Sequence, residues 1–148
     1  MNKSEIVAAV KAEFDRRLLE LKEQTLALQH DVANESKSSA GDKHETARAM
    51  MNLEQEKLER QYQELMTMKD RFDKINFESP IDKIQLGSLI ETNKGFFLLS
   101  VGLGKVKTNK QDLMLLSLQS PLGEVLFGKR VGDFVMLNKH EYIVIKVI

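Results

Sequence analysis

The sequence predicts an α+β protein in two parts, an antiparallel helical hairpin followed by a small antiparallel sheet with one short helix. Residues 1–77 contain no proline and one glycine, whereas residues 79–148 contain both prolines and the other seven glycines. Apolar residues recur every three or four positions in the first part and form short runs in the second. Ser79-Pro80 separates the two, because a residue before proline is disfavoured in a helix. We therefore expect domains at residues 1–78 and 79–148.

Composition limits the classes of function. The 148 residues include 22 basic and 22 acidic side chains and no cysteine. Overall neutrality gives no general attraction to nucleic acid, so any such contact must be local. Disulfides and thiolate metal sites are excluded. The first residues lead into a charged helix, and no run is long and apolar enough to span a membrane, so we expect a cytoplasmic protein with no membrane partner.

The first helix carries a heptad seam. Ser4 is predicted to be its N-cap, and polar turn-forming residues at 33–41 end it. The seam residues are spaced four and three apart, as in a coiled coil, and Ile6 and Val10 continue the pattern. They are Phe14, Leu18, Leu21, Thr25, Leu28 and Val32.

The second helix is predicted to begin after Asp42, its N-cap, and has a matching stripe. Met51, Leu58, Leu65 and Phe72 are seven residues apart, and further apolar residues lie on or beside the stripe at Ala47, Tyr62, Met68 and Ile75. Two helices of similar length joined by a short polar turn bury their seams by folding back on each other. This favours a monomeric antiparallel hairpin over a long parallel dimer.

Two carboxylates stand where the helices meet. Asp42 and Glu45 have the spacing of a capping box, in which each side chain accepts a hydrogen bond from the backbone of the other's position. They also lie at the tip of a rod roughly 50 Å long, at 1.5 Å per helical residue, where nothing apolar surrounds them. The tip could therefore be delivered into a cavity too narrow for the rest of the protein. Both interpretations can hold together.

The second part reads as short strands between turns. Phe97 and Phe134 are predicted to lie in its core, and Gly102, Gly104 and Asn109 are predicted to mark loops. A last hairpin is expected to turn through residues 138–140. The predicted strands are residues 87–92, 96–101, 113–118, 133–137 and 142–147.

One short helix is predicted between the last strands. Ser120 is suited to the N-cap, Pro121 to the first helical position, and residues 122–127 to the helix itself. Gly128 follows as the residue after the C-cap, where a left-handed conformation is common.

Three segments of the sequence resemble the Gre-type bacterial transcript cleavage factors. Residues 42–47, Asp-Lys-His-Glu-Thr-Ala, are similar to the acidic tip motif of that family. Residues 86–90, Leu-Gly-Ser-Leu-Ile, look like the first strand of its C-terminal domain. Residues 117–133 look like its signature of Ser-Pro, short helix, Gly-Lys and Gly-Asp, and this is the most specific match. The resemblance covers nearly the whole chain.

The resemblance implies a fold and a mode of action. The C-terminal domain is expected to be FKBP-like and to dock beside the secondary channel of RNA polymerase, and the hairpin is expected to enter that channel. The factor is not itself an enzyme in this scheme: Asp42 and Glu45 help to hold a second Mg²⁺, bound only in the complex, while the polymerase cleaves backtracked nascent RNA. The docking residues implied are Ser120, Pro121, Leu122, Gly128, Lys129, Gly132 and Asp133.

The tip departs from the family pattern and leaves alternatives open. The family continues from Asn-Ala to an acidic residue and a tyrosine, whereas this chain has Thr46, Ala47, Arg48 and Ala49. A diverged factor that binds the same channel and modulates or inhibits the polymerase is therefore a second interpretation. A peptidyl-prolyl isomerase and a coiled-coil adaptor are candidates from other classes. Contacts to RNA phosphates are suggested for Lys37, Lys43 and Arg48.

Overall fold

The computed structural model describes residues 2–35, 42–78 and 82–148, with the backbone alone at 35 and 42–44. The described residues form three helices and six strands, which confirms the α+β class. The helices are α1 (Lys3–Glu35), α2 (Asp42–Asp73) and α3 (Pro121–Leu126). The strands are β1 (Leu89–Thr92), β2 (Gly95–Ser100), β3 (Gly104–Lys107), β4 (Asp112–Ser117), β5 (Phe134–Leu137) and β6 (His140–Val147).

The chain divides into two compact units. The helical unit comprises Ala12–Lys69, and the sheet unit comprises Met1–Lys11 together with Asp70–Ile148. The first turns of α1 and the last residues of α2 therefore belong with the sheet. The boundary expected at Ser79-Pro80 lies outside the described residues and stays a prediction. No helix in the described part of the chain is both long enough and apolar enough to cross a membrane.

The helical unit is an antiparallel pair of helices. Residues 22–29 of α1 line a groove with residues 56–63 of α2, and residues 17–24 line a second groove with 61–68. Numbering rises along one helix as it falls along the other. Within this unit the seam residues Phe14, Leu18 and Leu58 are buried, and its other seam residues are half-buried. Lys69 Nζ lies 3.0 Å from Asp15 Oδ1 across the pair.

The solvent face of α1 carries a local ion-pair network. Arg16 and Arg17 both donate to the carboxylate of Glu13, at 2.7 and 2.8 Å, and Arg16 also reaches Glu20 at 3.1 Å. The hydrogen bond from Arg16 is the main reason that the pKa of Glu13 falls to about 2. Exposed pairs of this kind contribute little to stability, so the buried seam holds the helices together.

Both long helices begin earlier than predicted. The side chain of Asn2 accepts hydrogen bonds from the Ser4 backbone N–H at 2.9 Å and from Ser4 Oγ at 2.7 Å. Since α1 begins at Lys3, the prediction of Ser4 as the N-cap was wrong, and Asn2 supplies the capping oxygen. Helix α2 begins at Asp42 itself, one residue earlier than predicted. The capping box with Glu45 depends on a side chain outside the described part and stays a prediction.

The sheet has six strands in the order β3-β4-β2-β1-β6-β5. Strand β2 runs parallel to β4, with Phe96 beside Leu113, whereas the other pairs are antiparallel as predicted. The chain passes from β2 to β3 at the edge and then returns as β4, which lies between them. Strand β4 is antiparallel to β3 and therefore runs in the same direction as β2. The prediction of a loop at Gly104 was wrong, since Gly104–Lys107 forms β3. Strand β3 has one buried residue, Val106, so its sequence has no apolar alternation that would identify a strand.

One face of the sheet packs against α3. The cluster there is formed by Ile84, Ile90, Phe97, Leu99, Leu122, Leu126, Val135 and Val144. Because alternate residues of a strand point to opposite faces, Phe134 points away from this core, and 62% of its surface is exposed. The expectation of Phe97 in the core is confirmed, and that of Phe134 was wrong.

Candidate functional site

The first candidate surface is the start of α2. Asp42 is the first residue of this helix, and Glu45 follows in the same turn with its side chain exposed. Positions three apart are neighbours on a helix surface. Exposed Thr46 and Arg48 come next, so the described side chains of this turn offer one carboxylate and one guanidinium to solvent.

Several predicted tip residues fall outside what the structure describes. Lys37 is among the residues that are not described, and for Asp42 and Lys43 only the backbone is. For the predicted Mg²⁺ ligand Asp42, the structure therefore gives the position on the helix and not the position of the carboxylate. Among the side chains that the structure describes, those of residues 2–34, 45–78 and 82–148, no three of metal-ligating type cluster.

The donor set at the tip fits part of a Mg²⁺ site. Two carboxylates on one turn offer hard oxygen ligands, which Mg²⁺ prefers, and Mg²⁺ commonly takes one or two protein carboxylates together with water and phosphate oxygens. An exposed Glu45 leaves room for those other ligands. The pair would complete a site whose remaining ligands come from elsewhere.

The second candidate surface is the segment 120–133, which begins with a capped helix. Ser120 has extended backbone angles, φ −67° and ψ 151°, and its Oγ accepts from the Gly123 N–H at 3.0 Å. The same hydroxyl donates to the Ser117 carbonyl oxygen at 2.7 Å. Pro121 occupies the first turn, where it has no backbone N–H to leave unpaired. This part of the sequence prediction is confirmed.

Close packing at Gly123 is a feature that the sequence analysis missed. A Cβ at this position would overlap the Ser117 carbonyl oxygen and lie 2.7 Å from Ser120 Oγ. Only glycine lets the first turn of α3 approach the end of β4 in this way. A glycine three residues after a capping serine was the available signal, since glycine is otherwise unfavourable inside a helix.

The turn after α3 is held by backbone hydrogen bonds to one residue. Gly128 has φ +81°, and its N–H donates to the Ile84 carbonyl at 2.8 Å. The Ile84 N–H donates in return to the Lys129 carbonyl at 2.7 Å. Ile84 is itself completely buried, so it fixes this turn to the core. Its role was not predicted, because a two-bond pairing outside a regular strand leaves no periodic pattern.

The end of the segment is fixed in a similar way. Gly132 has φ +92° and donates its N–H to the Val144 carbonyl at 2.8 Å. Asp133 Oδ2 accepts from the backbone N–H of Arg130 at 2.8 Å. The guanidinium of Arg130 reaches Asp82 at 3.2 Å, an ion pair that the sequence did not predict.

The segment therefore presents an ordered surface. Among the predicted docking residues, Pro121, Gly128, Gly132 and Asp133 are exposed, whereas Ser120 and Lys129 are half-buried. Leu122 packs in the core cluster and supports this surface from below. Phe127, which was not predicted, is exposed at the C-terminal end of α3.

Aromatic residues beneath α3 are used for packing. The rings of Phe97 and Tyr142 meet edge to face with their centroids 6.1 Å apart. Leu122 and Leu126 of α3 belong to the same cluster as these rings. An isomerase pocket needs open space lined by aromatic side chains, and here Phe97 is buried. This arrangement gives no support to the isomerase interpretation.

Comparison with solved structures finds a structural likeness. The chain is similar to a solved structure described as the transcription factor Gfh1, with 21% identity, a TM-score of 0.40, and coverage of 93% of this chain and 92% of that chain. No protein-family model matches the sequence. A search of curated proteins also returned no match. A likeness of this extent assigns no function to the chain.

Proposed function

We propose that this chain is an accessory factor of RNA polymerase that stimulates cleavage of backtracked RNA through Asp42 and Glu45. The observation that carries the proposal is the pair of acidic positions in the first turn of α2, in a unit made of two antiparallel helices. The resemblance of residues 42–47 and 117–133 to the Gre-type factors supports it further.

The length of the helical unit suits delivery of these carboxylates. From Ala12 to Glu35, α1 spans about 35 Å at 1.5 Å per residue. Asp42 and Glu45 belong to the end of α2 that is remote from Lys69. A narrow pair of helices with its acidic residues at one end can reach into a channel that a sheet could not enter.

In this proposal the chain contributes two carboxylates to the cleavage reaction. Asp42 and Glu45 would help to hold Mg²⁺ through their carboxylate oxygens. The ion, when bound, would supply Lewis-acid stabilisation of a phosphodiester and activation of a water. Arg48 lies one turn beyond, where its guanidinium can contact an RNA phosphate. Catalysis then belongs to the complex, and the isolated chain is no hydrolase.

Docking is assigned to the segment 120–133. Its backbone is fixed at Ser120, at Gly128 through Ile84, and at Gly132 through Val144, so the exposed residues between them are held before the partner arrives. Such preorganisation lowers the entropic cost of binding. The tip can then act without contributing most of the affinity.

A factor that binds and inhibits is the second candidate, favoured by Arg48. This exposed cation lies three residues after Glu45 on the same helix and can pair with it. Pairing would reduce the negative charge that the carboxylates offer to a metal. In that case Arg48→Gln should increase cleavage, whereas under the leading proposal the same change should weaken it by removing a phosphate contact.

The test is RNA shortening in a stalled, backtracked elongation complex. We expect the chain to accelerate 3′ cleavage and the double variant Asp42→Asn, Glu45→Gln to reduce the acceleration by roughly a hundredfold, the scale of losing groups that act in the transition state. The matched control is Glu56→Gln with Glu59→Gln, which removes two exposed carboxylates three residues apart in the middle of α2.

Binding to the polymerase is measured on the same variants. It should be nearly unchanged in both, because docking is assigned to the sheet unit. Unchanged cleavage by the tip variant would leave Asp42 and Glu45 with a capping role alone. If the mid-helix control lost as much activity, the effect would come from helix charge in general.

A further inference from the structure

The two edges of the sheet differ in chemistry. Strand β3 forms one edge, and β5 forms the other. The backbone N–H and C=O groups on the outer side of an edge strand invite another strand, and proteins commonly protect such edges with charged side chains, especially lysine. Strand β3 follows this rule with exposed Lys105 and Lys107. Strand β5 reads Phe-Val-Met-Leu and has neither charge nor proline.

An apolar strip accompanies the unprotected edge. Phe134 and Met136 of β5 have 62% and 56% of their surfaces exposed, and Ile143 and Ile145 of β6 have 41% and 48%. Phe134 and Ile143 are direct cross-strand partners. By alternation all four side chains point away from α3. We call these four residues the β5–β6 strip.

The hydrogen-bond phase of β5 shows which backbone groups are available. The Val144 N–H donates to the Asp133 carbonyl at 2.9 Å. In an antiparallel ladder, every second residue directs both backbone groups to the same neighbour. Residues 133, 135 and 137 therefore face β6. The N–H and C=O groups of Phe134 and Met136 are directed to the open edge.

We infer that β5 pairs with β5 of a second copy of this chain, antiparallel about a two-fold axis at Val135. This register places Phe134 of one copy opposite Met136 of the other, twice. Both residues direct their backbone groups outward, so the pairing forms four hydrogen bonds. It also joins the two β5–β6 strips into one apolar surface. If the register shifted by one residue, each residue would lie opposite a residue whose side chain points to the other face of the sheet.

Charge favours this occupant and this direction. Asp133 precedes β5 and Lys139 follows it, and the strand between them is neutral. The guanidinium of nearby Arg130 is paired with Asp82. Antiparallel pairing brings the acidic end of one strand towards the basic end of the other, whereas parallel pairing brings like charges together. The strand is thus complementary to itself.

The dimer is expected to be weak and dependent on concentration. Four residues a side and two short apolar strips bury less area than a stable interface needs. The expectation of a monomer from the sequence concerns the helical seams, which are satisfied within the hairpin, and does not bear on this edge. The inference is independent of the proposed function.

Sedimentation velocity of the full chain, from micromolar to millimolar concentration, tests the pairing. The sedimentation coefficient should rise with concentration. Met136→Lys should lower the association constant by roughly tenfold or more, because it places a charge on the paired edge. The matched control is Met50→Lys, the same substitution at a methionine on α2 whose surface is 66% exposed. That variant should associate like the original chain.

Mixing two variants tests the register. Phe134→Glu alone should also weaken pairing, but a mixture of Phe134→Glu with Met136→Lys should recover it, because the new carboxylate and the new ammonium are then opposite each other. Both positions are exposed, so thermal unfolding should be unchanged in each variant. A chain that stays monomeric at millimolar concentration would overturn the proposal. So would equal losses in Met136→Lys and Met50→Lys, and a mixture that stays monomeric would overturn the register.

Discussion

Gly123 shows how one residue controls a surface that it does not itself form. Ser120 caps α3 and also donates to the end of β4, so the helix and the strand share a single hydroxyl. This arrangement brings the Ser117 carbonyl against the Cα of Gly123. The exposed Pro121 is positioned by that contact. The docking surface assigned above therefore depends on a buried glycine.

Gly123→Ala is expected to destabilise the sheet unit by about 1–3 kcal/mol, the usual cost of forcing an extra carbon into a packed site. The displaced atom would be a backbone oxygen, which cannot swing aside as a long side chain can. Chemical denaturation of the full chain measures the change.

Gly102→Ala is the control for that experiment. A Cβ at Gly102 would meet the nearest atoms, those of the Ser117 side chain, at 4.0 Å, an ordinary contact distance. It should alter stability by less than about 0.5 kcal/mol, as surface substitutions usually do. Equal effects of the two changes would mean that α3 relaxes away from β4, contrary to the packing described.

Residue types with a strong local signal were predicted from the sequence. Ser120 and Gly128 were predicted because capping and positive φ depend on their own chemistry. Phe134 was wrongly predicted because burial depends on which face of the sheet is covered. The sequence shows which residues are hydrophobic, but only the fold shows which face of the sheet is covered by another element.

At the scale of elements, the β5–β6 hairpin has an unusual turn. Leu137 and His140 are cross-strand partners, so the turn has two residues, Asn138 and Lys139. Both have positive φ, 51° and 67°. Two-residue turns of this kind suit the twist of a hairpin and favour Asn-Gly. Lysine at the second position adopts a conformation that costs little only for glycine.

Lys139→Gly is therefore expected to stabilise the hairpin by about 0.5–1 kcal/mol, because the strain at positive φ is removed. Thermal unfolding of the full chain is the measurement. Lys94→Gly in the turn between β1 and β2 is the matched control, since the positive φ there belongs to Gly95. That change should destabilise slightly through added freedom in the unfolded chain. A gain from both changes would count against the explanation by positive φ.

Elements with many repeats of one pattern were predictable, and those set by distant pairing were not. Helices α1 and α2 follow heptads over several turns, which the sequence states directly. Strand β3 has only four residues. It lies at the edge of the sheet because β4, which follows it in the chain, pairs with β2 on its other side. The parallel pairing of β2 with β4 follows from that route and has no local signal.

At the scale of the molecule, the sheet unit is assembled from both ends of the helical part. It includes residues 2–11 and 70–78 as well as the strands. Ile6, Val10 and Phe72 from these segments are buried, and Phe72 also meets Phe77 with ring centroids 4.9 Å apart. A change of composition near Ser79 marks where helix-forming residues end. The domain boundary expected there, between residues 78 and 79, stays a prediction.

Two truncated chains distinguish these descriptions. In the first, residues 12–69 are replaced by about six Gly and Ser residues, enough to bridge the roughly 10 Å between the axes of packed helices. It keeps Ile6, Val10 and Phe72 and should fold with a cooperative transition. The second, residues 79–148 alone, lacks these three side chains. Losing one large core side chain costs about 2–5 kcal/mol, so their combined loss rivals the 5–15 kcal/mol of a typical domain. Denaturation curves of both chains decide: a stable 79–148 fragment would show that the boundary predicted from composition is also the boundary of folding.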